Sequence, residues 1–289
     1  MPIIPNSELR FAYFGTPEFA AIILEELFVK KFTPALIVTQ PDKPKGRKLV
    51  LTPSEVRVWG MARDVAVLTP TKMRDESFVA ALSTAKCELF IVAAYGKIIP
   101  KEILDMPKYG VLNVHPSLLP KFRGSSPIES AILSDEKWTG VTIMQLDEEM
   151  DHGPVIAQRE RIIPHWPPRA SDLTRDLAHF GGSLLSGVIP EWLNGLQAFP
   201  QDHSRATFTK KINKEDGLLD LSADPIMNYK KIRAYDGWPG TYFFTKKHGK
   251  DIRVKVTDAR LEHGTLVITR VIPEGKDEMM YDDFLRGSP

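Results

Sequence analysis

Asn113 and His115 are the residues whose types and spacing most directly suggest chemistry. They lie two positions apart at the end of the apolar run Val111–His115. If this run is a β-strand, its period of two places both side chains on one face, with Leu112 and Val114 on the other. An amide beside an imidazole suits a reaction at a carbonyl, since one group can donate to an oxyanion while the other moves a proton. A histidine near a strand end is also often structural, so these residues alone leave both interpretations open.

The residues that follow favour the catalytic interpretation. After the SLLP turn at 117–120 come Lys121, Arg123 and Gly124, and then Pro127, which can begin a helix. This turn is rich in backbone donors and cations, and it follows a strand that we predict to be parallel to its neighbours. Open α/β sheets bind ligands at the carboxyl ends of such strands.

Asp151 is a third candidate. It lies in the segment TGVTIMQLDEEMDHGPVIAQ at 139–158, which is typical of a strand, an acidic loop and a second strand. Its carboxylate could hold an imidazolium or fix the tautomer of the ring. The alternative is that Asp151 belongs to a solvated acidic turn ahead of Gly153.

Seven segments of the chain carry a resemblance to a known family. In order they are YFGTPEFA, TQPDKPKGRKL, AAYGKIIP, NVHPSLLPKFRG, GVTIMQLDEEMDHGPVIAQ, RATFTKKINKEDGLLDL and IRAYDGWPG. Together they resemble the bacterial methionyl-tRNA formyltransferase family. The asparagine, histidine and aspartate positions are shared by the wider family of enzymes that use 10-formyltetrahydrofolate, whereas the TQPDKPKGRKL loop and the C-terminal segments favour the tRNA branch.

The resemblance implies a reaction and assigns roles to the three candidate residues. The reaction is transfer of the formyl group of 10-formyltetrahydrofolate to the α-amine of methionyl-initiator tRNA, by direct attack of the amine and without a covalent enzyme intermediate. Asn113 and His115 are assigned to the formyl oxygen. Asp151 is assigned to orienting His115 and relaying protons. Each role fits the donor and acceptor capacity of the residue.

The resemblance also implies where the folate binds. Main-chain groups around 93–96 would read the pterin edge, and Ile98, Ile99 and Leu118 would cover its flat face, although ordinary core packing is the alternative for each of these three. The predicted folate-binding residues are Ala93, Ala94, Tyr95, Gly96, Ile98, Ser117, Leu118, Leu119, Pro120, Gln145, Leu146 and Asp147.

A basic loop follows the second predicted strand. It carries Lys43, Lys45, Arg47 and Lys48 and is stiffened by Pro44. By resemblance this loop enters the acceptor end of the tRNA, where phosphate contacts would position the acceptor stem rather than read its sequence. Without the resemblance, a flexible basic loop would be the interpretation.

Two other functions remain open. One is a formyltransferase that acts on an amino sugar nucleotide or another small amine with the same Asn113, His115 and Asp151; the intact basic loop counts against it. The other is a non-catalytic RNA-binding relative, which the presence of all three residues disfavours.

Composition and motifs exclude several classes of site. His115, Asp151 and His152 could converge on a metal, but no HExxH motif or Cys/His cluster occurs, so we expect no metal. The turn after the first strand, Gly15-Thr16-Pro17, lacks the glycine spacing of a dinucleotide site. Cys87 is the only cysteine, which excludes an intramolecular disulfide. Without a leader or a long apolar run, we expect a cytoplasmic protein that binds no membrane and acts as a monomer.

The pattern of elements predicts a fold that can position these residues. Strands at 9–14, 34–39, 65–68, 89–94 and 111–115 alternate with helices near 18–29, 54–64 and 75–83, which indicates a doubly wound, mostly parallel Rossmann-like sheet. The short loop between strands 139–145 and 155–161 predicts antiparallel pairing. A long helix is expected at 171–195.

A change in pattern predicts a second domain. We place a formyltransferase catalytic domain at 1–195, a linker at 196–204 and an OB-like β-barrel at 205–289, with strands at 242–244, 251–259 and 265–272. Residues 205–260 hold thirteen Lys and Arg against seven Asp and Glu, a balance suited to a phosphate backbone. Relative to the family this C-terminal domain is expected to be short, and His152 and Phe122 depart from the usual residue types.

Overall fold

The structure is a computed structural model that describes residues 8–45, 49–247 and 249–287, with the main chain alone at Lys45. Arg47 and Lys48 of the predicted tRNA loop lie outside the described residues. The elements as far as residue 193 are β1 (Phe11–Gly15), α1 (Glu18–Val29), β2 (Leu36–Val38), β3 (Lys43–Lys45), β4 (Val50–Thr52), α2 (Glu55–Met61), β5 (Val67–Leu68), α3 (Glu76–Thr84), β6 (Leu89–Ala93), α4 (Lys101–Leu104), β7 (Val111–His115), α5 (Pro127–Leu133), β8 (Thr139–Gln145), β9 (Val155–Arg161) and α6 (Ala170–Leu193).

Seven of these strands form one sheet in the order β5-β2-β1-β6-β7-β8-β9. The strands from β5 to β7 pair in parallel. The β7–β8 and β8–β9 pairs are antiparallel, as their short connection predicts. Strand order runs outward from β1 in both directions, so the predicted doubly wound, mostly parallel sheet is confirmed. The point at which the order reverses, between β1 and β6, is where open α/β sheets bind ligands.

Apolar side chains cover both faces of this sheet. One face packs Phe14, Phe90 and Val111 against Phe78 of α3 and Ile103 of α4. On the other face, a Cβ added at Gly181 of α6 would lie 2.9 Å from Val114 Cγ1. The backbone of α6 therefore lies directly on the face of β7 that carries Val114. Asn113 and His115 lie on the other face of this strand, so the site must form there.

Local sequence signals explain where the observed bounds of the elements match the predicted bounds and where they differ. The bounds of α1, β7, β8 and β9 coincide with the predicted ones. Helix α2 is shorter than the predicted 54–64 because Ser54 is its N-cap, where its Oγ accepts from Arg57 N at 3.1 Å. At its other end, Asp64 adopts the left-handed conformation with φ 55°. The antiparallel β3–β4 hairpin within the basic loop was not predicted.

The remaining elements belong to the C-terminal part of the chain. They are α7 (Pro225–Ala234), β10 (Thr241–Lys247), β11 (Lys250–Glu262), β12 (Thr265–Pro273), β13 (Met279–Met280) and α8 (Tyr281–Arg286). The four strands pair antiparallel in the order β10-β11-β12-β13. Ile232 of α7 and Phe284 of α8 pack with Phe243, Val254 and Val271 in one apolar core.

Contacts divide the chain into two compact units. The first runs to Ser125 and also includes Trp138–Arg161 and Thr174–Phe208. The second consists of Ser126–Lys137, Ile162–Leu173 and the described residues from Thr209 onward. The functional boundaries predicted at 195 and 205 stay a prediction. Every side chain of the candidate site described below belongs to the first unit.

Candidate active site

Asn113 and His115 lie side by side on β7, with 8% and 4% of their surfaces exposed. Alternation along the strand places both on the face opposite to Val114. Among the described residues, the Asn113 amide makes no hydrogen bond. Its polar atoms are not among the fully buried atoms without a partner, so the amide is open to a polar group that enters beside His115.

Main-chain and carboxylate groups fix the orientation of the His115 ring. Its Nε2 lies 3.0 Å from the carbonyl oxygen of Phe122, which can only accept, so Nε2 carries a proton. Its Nδ1 lies 3.6 Å from Asp151 Oδ1, beyond direct hydrogen-bond distance. In the neutral ring Nδ1 is therefore the nitrogen without a proton. The Asp151 carboxylate is close enough to stabilise the positive charge when Nδ1 takes one up.

Asp151 is itself held in place by the loop that follows His115. Its Oδ2 accepts from Gly124 N at 2.7 Å. Its main chain adopts the left-handed conformation, with φ 50°, which residues other than glycine adopt infrequently. The loop that follows His115 thus supplies one contact to each partner of the pair, from Phe122 to the imidazole and from Gly124 to the carboxylate.

Polar residues of two antiparallel strands anchor the SLLP turn. Thr142 of β8 pairs with His115 on one side and with Gln158 of β9 on the other. Its hydroxyl donates to Ser117 O at 2.7 Å and accepts from Leu119 N at 3.1 Å. Gln158 Nε2 donates to Leu119 O and to Thr142 Oγ1, both at 2.8 Å. This row of polar side chains across three strands holds the turn beside His115.

The predicted folate segment at 93–96 begins at the end of β6, next to the point where strand order reverses. The carbonyl oxygen of Tyr95 accepts from Thr16 Oγ1 at 3.0 Å and from Gln40 Nε2 at 2.8 Å. Positive φ angles at Ala94 and Gly96, 44° and 81°, turn the main chain on either side of it. The segment is therefore tied to the ends of the neighbouring strands.

The side chains around this segment divide between core and surface. Tyr95 is 2% exposed and packs edge-on against Phe14, and burial raises its pKa to about 12. Ile99 is also part of the core, whereas Ile98 is 86% exposed. Lys97 Nζ donates to Pro70 O at 2.6 Å. Burial, and to a smaller extent repulsion from Lys43, lowers the pKa of Lys97. Tyr95 can thus contribute to a ligand site only through its main chain.

The third predicted folate segment, at 145–147, follows β8. Leu146 N donates to Val111 O at 2.8 Å, which attaches the segment to β7. The Asp147 carboxylate lies 2.7 Å from His152 Nδ1. The His152 ring stacks on His203, with centroids 4.1 Å apart and planes 4° from parallel. An open cleft of about 540 Å³ lies next to this segment and is lined by Lys72, Met73, Arg74, Ile98, Ile99, Pro100, Lys101 and Glu148.

The described residues contain no group of three metal-ligating side chains that could hold an ion. His152, which the sequence could have brought toward a metal with His115 and Asp151, is instead engaged by Asp147 and His203. No helix in the described ranges is long and apolar enough to cross a membrane.

The basic loop is described at its two strands. Lys43 Nζ donates to Gln40 Oε1 at 2.6 Å, and this glutamine also contacts the Tyr95 carbonyl. On the returning strand β4, Val50 and Leu51 are 60% and 67% exposed. One end of the hairpin is thus connected to the predicted folate segment.

Comparisons with known proteins identify the family. The model of the family "Formyl transferase" matches residues 9–189, and that of "Formyl transferase, C-terminal domain" matches residues 211–265. The methionyl-tRNA formyltransferase of Chloroflexus aurantiacus is 43% identical over 267 residues, which are 91% of this chain and 84% of that protein. The chain belongs to the formyl transferase family.

Solved structures share the formyl transferase fold. HypX from Aquifex aeolicus in complex with tetrahydrofolic acid has a TM-score of 0.67 at 18% identity; the match covers 96% of this chain and 48% of HypX. An N-formyltransferase from Helicobacter canadensis, solved with folinic acid and dTDP-3-aminofucose, has a TM-score of 0.63 at 18% identity and covers 88% of each chain. At these identities the likeness concerns the fold alone.

Within this formyl transferase chain, the structure brings Asn113, His115 and Asp151 together, as predicted from the sequence. Sequence reasoning missed the supporting role of four residues: Thr142 and Gln158, described above, and Arg123 and Gln201, which are joined by a hydrogen bond of 2.7 Å from Arg123 Nη2 to Gln201 Oε1. Thr142 carried a signal, since it is a polar residue between Val141 and Ile143, whereas Gln158 leads into the charged end of β9 and carried none. The contacts of Gln201 carried none, because they depend on how a distant loop folds.

Proposed function

We propose that this chain transfers the formyl group of 10-formyltetrahydrofolate to the α-amine of methionyl-initiator tRNA. The observation that carries the proposal is the position of the Asn113 amide, which has no hydrogen-bond partner among the described residues, beside His115 on one face of β7, with Asp151 next to the imidazole. Relatives with the methionyl-tRNA formyltransferase name, at 36–43% identity, support the tRNA as acceptor.

Asn113 would stabilise the oxyanion. Attack of the amine on the formyl carbon forms a tetrahedral intermediate with negative charge on the formyl oxygen. An amide N–H fixed by burial can donate to that oxygen without first breaking another hydrogen bond among the described residues. The protonated His115 ring would add a second donor on the same side, in keeping with the role implied by the resemblance.

His115 and Asp151 would move the proton. The attacking amine loses one proton, and the folate nitrogen gains one when its bond to the formyl carbon breaks. Because Nε2–H donates to Phe122 O, Nδ1 takes up the proton, directly or through a water, and Asp151 stabilises the imidazolium. The same Nδ1–H can then protonate the leaving nitrogen, which restores the neutral ring.

The folate would lie along the segments 93–96, 117–120 and 145–147, with Ile98 against its flat face. Exposure of the Ile98 side chain is consistent with that role. The family uses formyl-tetrahydrofolate, and the HypX structure with tetrahydrofolic acid supports a folate in this fold. The residue assignments within these segments are part of the proposal.

The tRNA would be positioned by the basic hairpin. Lys43, Lys45, Arg47 and Lys48 would contact phosphates of the acceptor stem, since point charges on a loop position a duplex rather than read it. We propose a monomer that needs no metal. Sedimentation of the free enzyme and activity in the presence of a chelator check these two points, and the cytoplasmic location stays a prediction.

A formyl-transfer assay tests the proposal. Radiolabelled 10-formyltetrahydrofolate is supplied with initiator Met-tRNA, elongator Met-tRNA, free methionine or a dTDP-linked amino sugar. Label in the initiator tRNA alone is the expected result. Transfer to the amino sugar, with none to either tRNA, would overturn the proposal in favour of a small-amine acceptor.

A further inference from the structure

Arg123 lies between the two main-chain groups that hold the His115–Asp151 pair. The residue before it supplies the carbonyl that accepts from His115 Nε2, at 3.0 Å. The residue after it supplies the N–H that donates to Asp151 Oδ2, at 2.7 Å. Both flanking residues have positive φ angles, 59° at Phe122 and 114° at Gly124. Any shift of the Arg123 main chain therefore moves both contacts together.

The Arg123 side chain is buried without a counter-charge. It is 3% exposed, and none of the ion pairs found among the described residues includes it. Its guanidinium instead donates to Gln201 Oε1, from Nε at 3.2 Å and from Nη2 at 2.7 Å. Nη2 also lies 2.8 Å from His203 Nδ1. Burial of a cation is costly unless its donors are satisfied, so this arrangement ties Arg123 firmly to Gln201.

Gln201 connects Arg123 to the loop that carries Asp151. Its side chain is 7% exposed, and its Nε2 donates to Asp151 O at 2.9 Å and to Gly153 O at 2.7 Å. Its oxygen accepts both contacts from the guanidinium, so the full capacity of the amide is used. The Asp151 loop, with its left-handed φ, is thus held from outside rather than by strand pairing.

We propose that Arg123 and Gln201 are positioning residues that set the distance between His115 and Asp151; this inference rests on the proposed function of that pair. The hydrogen bonds form a closed ring from the Arg123 side chain through Gln201 and Asp151 to Gly124, and Phe122 attaches His115 to this ring. Neither Arg123 nor Gln201 contacts the reacting atoms. Arg123 acts through the main-chain contacts of its neighbours to His115 and Asp151, and Gln201 acts through the loop that carries Asp151.

The test is a double-mutant cycle with Gln201→Met and Asp151→Asn. Methionine removes every hydrogen bond of Gln201 at similar volume. We expect kcat to fall about 10- to 100-fold, the scale for a misplacement of about 1 Å, with little change in KM for the folate. In the Asp151→Asn background the same substitution should cost less than about threefold, because the carboxylate to be positioned is gone.

Gln197→Met is the matched control. Gln197 is an exposed glutamine a few residues earlier, and within the described part of the chain its Nε2 donates only to Gly195 O, at 3.1 Å. Its substitution should leave kcat unchanged in both backgrounds. If Gln201→Met also leaves kcat unchanged, or lowers it equally in the Asp151→Asn background, Gln201 has no positioning role and the inference is overturned.

A spectroscopic readout separates this inference from the proposed function. In ¹⁵N-histidine-labelled enzyme without substrate, the His115 signals are assigned with His115→Ala. Gln201→Met should shift or broaden them, and Gln197→Met should not. An unchanged His115 signal overturns the inference whatever the acceptor, whereas failure of the wild type to formylate tRNA overturns only the proposed function. Should Gln201→Met not fold, Arg123→Lys replaces it, since lysine keeps the charge but loses the fork.

Discussion

Replacement of Asn113 by alanine should separate activity from stability. If the amide donates to the formyl oxyanion, its loss should lower kcat by about 10²- to 10³-fold, or about 2.7–4 kcal/mol of transition-state stabilisation, as for other single oxyanion donors. The folded protein should lose little. The amide makes no hydrogen bond among the described residues and its polar atoms are not fully buried, so its removal leaves no buried partner unsatisfied.

Thr142→Ala provides the contrast. Thr142 is fully buried, and its hydroxyl takes part in three hydrogen bonds that anchor the SLLP turn. Its loss should lower the free energy of unfolding by about 1–3 kcal/mol, since it leaves buried partners unsatisfied. Asn113→Ala, in contrast, should stay within about 1 kcal/mol of the wild type.

The assays are formyl transfer to initiator Met-tRNA under saturating folate and urea unfolding of each variant. The reasoning is refuted if Asn113→Ala keeps kcat within tenfold of the wild type. It is also refuted if Asn113→Ala destabilises the protein as much as Thr142→Ala, because a structural asparagine would give that result.

Three further predictions concern charge and protonation. His115→Ala and Asp151→Asn should each lower kcat by orders of magnitude with the melting temperature nearly unchanged, and their combination should cost little more than His115→Ala alone, because the two act as one unit. Arg47→Ala should weaken use of the tRNA and reduce the salt dependence of kcat/KM by about one unit of slope, with folate binding unaffected; Lys86→Ala, which removes a cation elsewhere, should change neither. Burial, with a smaller contribution from Asp236, raises the pKa of Glu129. Its contribution to stability is therefore present below the unfolded carboxyl value of about 4.3 and is lost as the pH rises through the folded pKa, so Glu129→Gln should stabilise the protein at pH 7 in thermal unfolding, whereas equal stability at that pH would contradict the assignment.

The sequence predicted the elements whose patterns are local. Helix α1 and strand β7 are predicted with their observed bounds, since an apolar pattern of the right period decides each within a few residues. The β3–β4 hairpin and helix α7 were missed. In the hairpin the strands are short and carry lysines and a proline, and α7 is only weakly amphipathic, so neither shows the periodicity on which such predictions depend.

The sequence alone could point to the residues that we propose to react, but not to the residues that support them. Asn113 and His115 share a strand face by simple alternation, and Asp151 is a candidate from the acidic loop between two predicted strands, with its role assigned by the resemblance to the family. Gln201 lies in the segment that we interpreted as a linker. Its contacts with Asp151 and Arg123 join residues far apart along the chain, and no local pattern specifies such pairings.

The topology explains why the site needs external support. Strand β8 runs antiparallel to β7, and the pairing of Gln145 with Leu112 places the end of β8 near the start of β7. His115 lies three residues further along β7, about 10 Å away at the rise of a β-strand. The loop after Gln145 must therefore run back across the face of β7 for Asp151 to reach the imidazole. Pairing between β8 and β9 begins at Pro154, whose carbonyl oxygen accepts from Gln145 N. Asp151 precedes this point and lies outside the paired strands. Gln201 and Gly124 supply the hydrogen bonds that strand pairing does not. Loss of these contacts should therefore disturb the distance between His115 and Asp151 more than it lowers the stability of the fold.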